Sequence, residues 1–216
     1  MTVSAATEWE QAADSVRAAA DELRTRDSSE IRAWAKKNNL LSRSMWPKVK
    51  RELVKQLDLD YNVLRDAEAH QRKTEIAAVA QSAPLVELFA AGDERGRFAV
   101  LGPVDDAGWW GAFHATDTIF KKGNQRSADE SVAGKAVFLA GKAREDANVP
   151  AVRLLLHISN PEIDGNSLAG MAAKHGVALE LDITADNRAV AWCENEPGYQ
   201  AWQAIRLSDL FTSDES

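Results

Sequence analysis

Between Arg32 and Lys55 the chain places Arg32, Lys36, Lys37, Arg43, Lys48, Lys50, Arg51 and Lys55 against Glu52 alone, with a Trp-Pro pair inside the stretch SRSMWPKVKRELVK. Eight cations against one acid make this segment +7 within a protein whose net charge is −7, so the remainder carries −14. The chemistry open to such a cluster is contact with phosphates: lysine and arginine neutralise the backbone of a nucleic acid and release its counterions, independently of sequence. Docking on an acidic partner, or on the acidic remainder of the same chain, uses the same charge.

Other reactive side chains are sparse. Cys193 is the only cysteine, which excludes an intrachain disulfide and leaves thiolate metal ligation without a second sulfur; beside Trp192 it reads as a small core residue. His70, His114, His157 and His175 show no HxH, HxxxH or HExxH spacing, so no metal site is predicted from them. GxxxxGK[ST], a strand-linked GxGxxG and GxSxG are all missing, and with them the signals for a phosphate-cradling loop or a nucleophile elbow. The apolar runs LVELFAA and VPAVRLLL are far shorter than the roughly 20 residues that span a bilayer. The start MTVSAATEWEQ has no basic, then apolar, leader pattern. These features predict a cytoplasmic protein with no membrane partner.

The elements that carry the cations read as helices. Trp9, Ala13, Val16, Ala20 and Leu23 recur at steps of four and three, which predicts one helix from Ser4 to Arg26 with a short heptad stripe, used for self-association or for packing on the next two helices. Ser28 or Ser29 is the expected cap of a second helix, about Glu30 to Asn38, stopped by Asn38-Asn39. Pro47 suits the first turn of a third, running to about Leu57. A fourth, roughly Asn62 to Gln81, connects the basic module to the C-terminal part of the chain. Trp34 and Trp46 are the expected small core of this basic module.

Beyond Pro84 the texture changes to short β-prone runs: PLVELFAA, RFAVLGPV, GWWGAFHA and DTIF, an antiparallel meander. Asp93, Glu94, Asp105 and Asp106 fall in its turns, and Trp109 and Trp110 must point to opposite faces of a strand. A helix is predicted from Ser127 to about Asp146, with Val132, Ala136, Leu139, Ala140 and Ala143 on one face. Ser127 and Glu130 match an S-x-x-E capping box. AVRLLLHI (151–158) reads as a strand buried on both faces. A helix of about Ser167–His175, stopped by Gly176, then precedes VALELDIT (177–184) and completes a parallel β-α-β unit. The predicted organisation is a helical basic module (1–60), a connecting helix (61–83), a mixed α/β domain (84–205) and an acidic tail (206–216), α+β or α/β in class.

The order of three antiparallel strands, helix, strand, helix, strand over Pro84 to Trp192 resembles the ribonuclease H fold. That resemblance implies carboxylates holding two divalent ions, Mg²⁺ or Mn²⁺, in line with a phosphodiester. Its candidates here are Asp93 near the first strand, Glu130 on the first helix, Asp164 beyond the fourth strand, where Asn160 stands at the position of an expected Asp, and Asp186. The usual Asp-Gly step is absent at Asp93, and such departures imply a degenerate site with no bound cofactor.

Residues 31–51, IRAWAKKNNLLSRSMWPKVKR, resemble the DNA-binding module of actinobacterial nucleoid-associated silencers, through Ile31, Arg32, Trp34, Ala35, Asn38, Arg43 and Pro47. The family's loop sets two arginines around a glycine for entry into the minor groove of A·T-rich DNA. Here Arg43 is kept, Ser44 replaces the glycine and Met45 the second arginine. The leading expectation is thus a non-enzymatic DNA-associated protein with an α/β domain for partner binding or self-association. The alternatives are a metal-dependent ribonuclease H-like nuclease and a protein–protein adaptor of phage or mobile-element type.

Overall fold

In the computed structural model, which describes residues 5–104, 107–195 and 198–212, the chain forms two compact units, Met1–Gln71 and Arg72–Ser216. Asp105 and Asp106 lie outside the described residues, as do 213–216 of the expected acidic tail.

The first unit comprises α1 (Ala5–Ala18), α2 (Ala20–Leu23), α3 (Ser28–Lys37), α4 (Trp46–Leu57) and the first half of α5 (Tyr61–Ala80). The single helix expected to Arg26 is broken at Ala19, whose φ of −109° and ψ of 13° leave the helical region. The cap of α3 is Asp27 and not a serine: Asp27 accepts from the Glu30 amide, and Glu30 reaches back to the Asp27 amide. Ser28 instead sends its own N–H to Glu68. Asn39 (φ 59°) and Asp58 (φ 55°) turn the chain after α3 and α4 in the left-handed conformation that Asn and Asp tolerate. The stripe of α1 is used internally. Ala12 and Val16 are buried with Ile31, Trp34, Val49 and Leu53, and each fully buried Val, Leu or Ile contributes about 1.5–3 kcal/mol. Trp46 meets Tyr61 edge to face at 5.0 Å.

The second unit holds one five-stranded sheet of β1 (Leu85–Gly92), β2 (Arg97–Leu101), β3 (Gly108–Ala112), β4 (Val152–Ile158) and β5 (Val177–Ile183), in the order β3-β2-β1-β4-β5. β1 pairs antiparallel with β2 and parallel with β4; β2–β3 is antiparallel and β4–β5 parallel. The element order therefore agrees with the sequence reading, and the class is mixed α+β. DTIF is the exception: Asp117 Oδ1 accepts from the amides of Ile119 and Phe120, and this local closure makes a turn where a strand was predicted.

One face of the sheet is covered by α6 (Gln125–Asp146) and α7 (Gly165–His175), over Val86, Leu88, Val100, Leu154 and Leu156. α8 (Arg188–Asn195) covers the other face only over β1 and β2, with Ala91, Ala99, Leu101 and Cys193 in contact. This corrects the expectation that β4 is buried on both faces. Val152, Leu154, Leu156 and Ile158 are buried, while Arg153, Leu155 and His157 are half-buried beyond the reach of α8. Trp109 and Trp110 do separate, Trp109 toward Phe98 and Phe138, Trp110 against Trp192 of α8. The capping box expected at Ser127 and Glu130 does not form, because α6 starts earlier, with Asn124 accepting from the Ser127 amide. Part of the expected acidic tail is folded: Leu210 is fully buried and Phe211 bridges to Val86.

Candidate functional site

On the first unit the eight predicted cations sort by what already engages them, and only Lys48 and Lys55 face a carboxylate among the described residues. Lys48 is half-buried, 2.6 Å from Glu8 and 2.9 Å from the Ser44 carbonyl. That ammonium, with the Ser44 hydroxyl, holds the Glu8 carboxyl below the usual range. Lys55 lies 3.7 Å from the buried Glu52. Lys50 reaches Asn62 at 3.4 Å, and Arg51 lies over the Trp9 ring at 5.8 Å. Arg32, Lys36, Lys37 and Arg43 are exposed and make no ion pair among the described residues. Arg32 and Lys36 stand one helical turn apart, on the same stripe of α3. Met45 is 5% exposed and belongs to the core.

On the second unit a cavity of about 410 Å³ opens where the C-terminal ends of β1 and β4 meet the start of α6 and the side of α8. Asp129 is its buried acid. Its Oδ2 accepts from Asn160 Nδ2 at 2.8 Å and its Oδ1 from Gln125 Nε2 at 3.0 Å, while Gln125 also donates to the Gly92 carbonyl at 2.7 Å. Burial raises the Asp129 carboxyl above the usual range, against the lowering effect of the Asn160, Gln125 and Gly92 donors. Gly92 permits this arrangement, since a Cβ there would stand 2.8 Å from the Ala128 carbonyl oxygen and push α6 off the strand end.

Of the four carboxylates implied by the resemblance, only Asp93 lines this cavity, and its Oδ1 takes the amides of Gly96 and Arg97 at 2.7 Å each, closing the β1–β2 turn. Glu130 points elsewhere on α6 and pairs with Arg126 at 3.0 Å. Asp164 caps α7, accepting from Asn166, and Asp186 is an exposed loop residue whose amide donates to Thr184. Asn160, just after β4, also lines the cavity. Asp129, Gln125 and Glu194 were missed, although Asp129 lies on the predicted apolar face of α6, three residues before Val132 and seven before Ala136. Among the described residues, no three His, Cys, Asp or Glu side chains converge as a metal-binding group. Cys193 also lines the cavity; burial, then the nearby Asp93, pushes its thiol up to about 12, which leaves it a poor nucleophile.

A second polar cluster occupies the part of the opposite face that α8 leaves open. His157 on β4 bonds Asp182 of β5 through Nδ1 at 2.7 Å and Glu87 of β1 through Nε2 at 2.9 Å, and its ring stacks on Phe89 at 4.3 Å. Sequence spacing gave no sign of it, because the contacts run between strands: Asp182 stands directly opposite His157, and Glu87 reaches it diagonally from beside Phe89, which is His157's own partner on β1.

Comparison of the chain with known protein families, with curated proteins and with solved structures gives no match. Among the described residues no helix is long and apolar enough to cross a membrane.

Proposed function

We propose that the chain is a nucleic-acid-associated protein whose N-terminal unit contacts phosphates through Arg32, Lys36, Lys37 and Arg43, and whose C-terminal unit is a ribonuclease H-like domain serving partner binding. The observation that carries the first half is the set of four exposed cations that no other side chain engages among the described residues, in a chain of net charge −7. Their positions favour phosphate contact by α3, with Arg43 in the loop after it as the residue for a groove. Met45 and Ser44 do not contribute to groove entry, one being buried and the other bonded to Glu8.

The strand order, with three antiparallel strands and then two parallel ones, supports the ribonuclease H-like reading. The donors at the strand ends support a degenerate site. Two divalent ions need several carboxylate oxygens turned toward a shared point. Here both oxygens of Asp129 are taken by amides, Asn160 stands at the third position, and Glu130 is engaged by Arg126. This donor set does not fit a two-ion clamp.

The test is titration of the full chain against a fluorescein-labelled duplex by anisotropy at several salt concentrations. The expected result is an affinity whose logarithm falls linearly with log salt, at a slope of about −0.9 per phosphate contacted. Absence of binding at low salt overturns the phosphate reading. Mg²⁺- or Mn²⁺-dependent cleavage of DNA or of an RNA–DNA hybrid, abolished by Asp129→Asn, overturns the degenerate one.

A further inference from the structure

The two edges of the sheet are treated differently. At β3, the backbone of Trp110 exchanges both hydrogen bonds with Gln200, at 3.2 and 2.9 Å, and the Gln200 side chain donates to the Gly108 carbonyl, so that edge is capped at these two residues. At β5 no further strand pairs among the described residues, and seven residues in unbroken register with β4 form the outer edge. The bonds to β4 set the direction of its free groups. The Gly176 carbonyl accepts from Val152 and the Thr184 amide donates to Ile158. Alternate residues of a strand direct their backbone groups to opposite sides. Those of Ala178, Glu180 and Asp182 therefore serve β4, and those of Val177, Leu179, Leu181 and Ile183 point outward.

What borders this edge is specific on each face. On the helix side runs a cleft of about 520 Å³ walled by Ile76 and Ala77 of α5, Ala169 and Ala172 of α7, and Val177 and Leu179 of β5. Its walls are small and apolar. On the other side stand Glu180, exposed and without an ion pair among the described residues, and Asp182, with Glu87 two strands in. His157 engages one oxygen each of Asp182 and Glu87, whereas Glu180, next to the edge, has no such partner among the described residues. Ile183, at the end of the strand, is 45% exposed.

We propose that the β5 edge takes up an extended peptide of a partner protein as a sixth strand, with small apolar side chains entering the α5–α7 cleft and alternate Lys or Arg side chains meeting Glu180 and Asp182. Strand addition gains affinity from main-chain bonds and selectivity from alternate side chains. A second copy of the same strand fits badly. Antiparallel pairing along the whole of β5 about a two-fold axis is centred on Glu180 and sets Glu180 opposite Glu180, and like charges directly opposite are destabilising. The same charges select a cationic partner.

This inference builds on the partner-binding half of the proposed function and is independent of DNA contact. Its test is anisotropy titration of the full chain, without nucleic acid, with a fluorescein-labelled nine-residue peptide alternating Lys or Arg with Val. The expected result is saturable binding that weakens about tenfold when the peptide amides facing β5 are N-methylated, and about fivefold on Glu180→Lys, with protection of the Leu179, Leu181 and Ile183 amides from hydrogen exchange. Glu180 is a surface residue, and an unchanged circular dichroism spectrum verifies that the variant is folded. Binding indifferent to N-methylation marks plain charge attraction and overturns the proposal. So does a dimer in sedimentation that Ile183→Pro dissociates, since the edge then belongs to a second copy. Neither result touches the DNA titration, which reads α3.

Discussion

Asn160 donates through Nδ2 to Asp129 Oδ2 across 2.8 Å, joining the chain just after β4 to the buried acid of α6. An amide in this place turns what could be a pair of like charges into a neutral-to-anion hydrogen bond, and the bond shields the carboxylate from any third ligand. Asn160→Asp should therefore be destabilising at pH 7 and recover on acidification, because two carboxylates at this separation are relieved by sharing a proton. Thermal melts between pH 4 and 8 read this; a pH-independent loss contradicts it.

Asp129→Asn should leave stability within about 1 kcal/mol of the parent at neutral pH, whereas Asp129→Ala, which leaves the Asn160 and Gln125 amides without their acceptor, should cost about 1–3 kcal/mol. Burial raises the folded-state pKa of Asp129 above its ordinary value. Its contribution is then fully present below the usual carboxylate range and is lost as pH rises through the raised value. Relative to Asp129→Asn, the parent should gain stability on acidification. Chemical denaturation at pH 4 and pH 7 measures the sign.

The opposite dependence is expected at Asp117. Burial works against its ionised form but is outweighed by the Phe120 amide, the Ser131 hydroxyl, the Lys135 ammonium and the Ile119 amide, which hold the carboxyl at about 2. The stabilisation is present above the ordinary value and disappears as pH falls through about 2. Asp117→Asn also leaves Lys135, 3.1 Å away, without its counter-ion. We expect a loss on the order of 1–2 kcal/mol at pH 7, after allowance for solvent screening, with the gap to the parent closing near pH 2.

In the DNA titration, Lys36→Ala and Lys37→Ala should each reduce the salt slope by about one contact. Arg43→Ala should also reduce any preference for A·T-rich duplex. Lys48→Ala should leave the slope unchanged and lower the melting temperature, since its ammonium is committed to Glu8 and the Ser44 carbonyl. A slope that responds to Lys48 and not to Lys36 would place the contact on α4 instead of α3.

Cys193 is 3% exposed and its thiol is raised to about 12. Iodoacetamide at pH 8 should leave it unmodified in the native protein and alkylate it fully in 6 M guanidinium, as mass spectrometry would report. Rapid native-state labelling would mean that α8 opens from the sheet.

Much of the α+β unit was legible because strands and helices alternate with clear Gly, Asp and Pro punctuation. The stop at Gly176 and the opposite facing of Trp109 and Trp110 came directly from local geometry. The candidate site was less legible. Glu130 and Asp129 are neighbours in sequence, and choosing between them requires the phase of α6, set by Val132, Ala136 and Ala140 against the sheet. The Glu87–His157–Asp182 cluster depends on register between three strands, which no single segment encodes. The partners of Lys48 and Lys55 were equally hidden, since the charge count of a segment is silent on which acid folds against it.

The position of β1 at the centre of the sheet has a kinetic consequence. One of its edges is satisfied by β2 across a short turn closed by Asp93, but the other waits for β4, where Leu85 must find Arg153. Loop-closure entropy makes that non-local pairing the slow event in assembly. Until β4 arrives, a nascent or refolding chain presents the hydrophobic strand LVELFAAG with one row of amides and carbonyls open, and this segment, more than any surface of the finished protein, is where aggregation should begin.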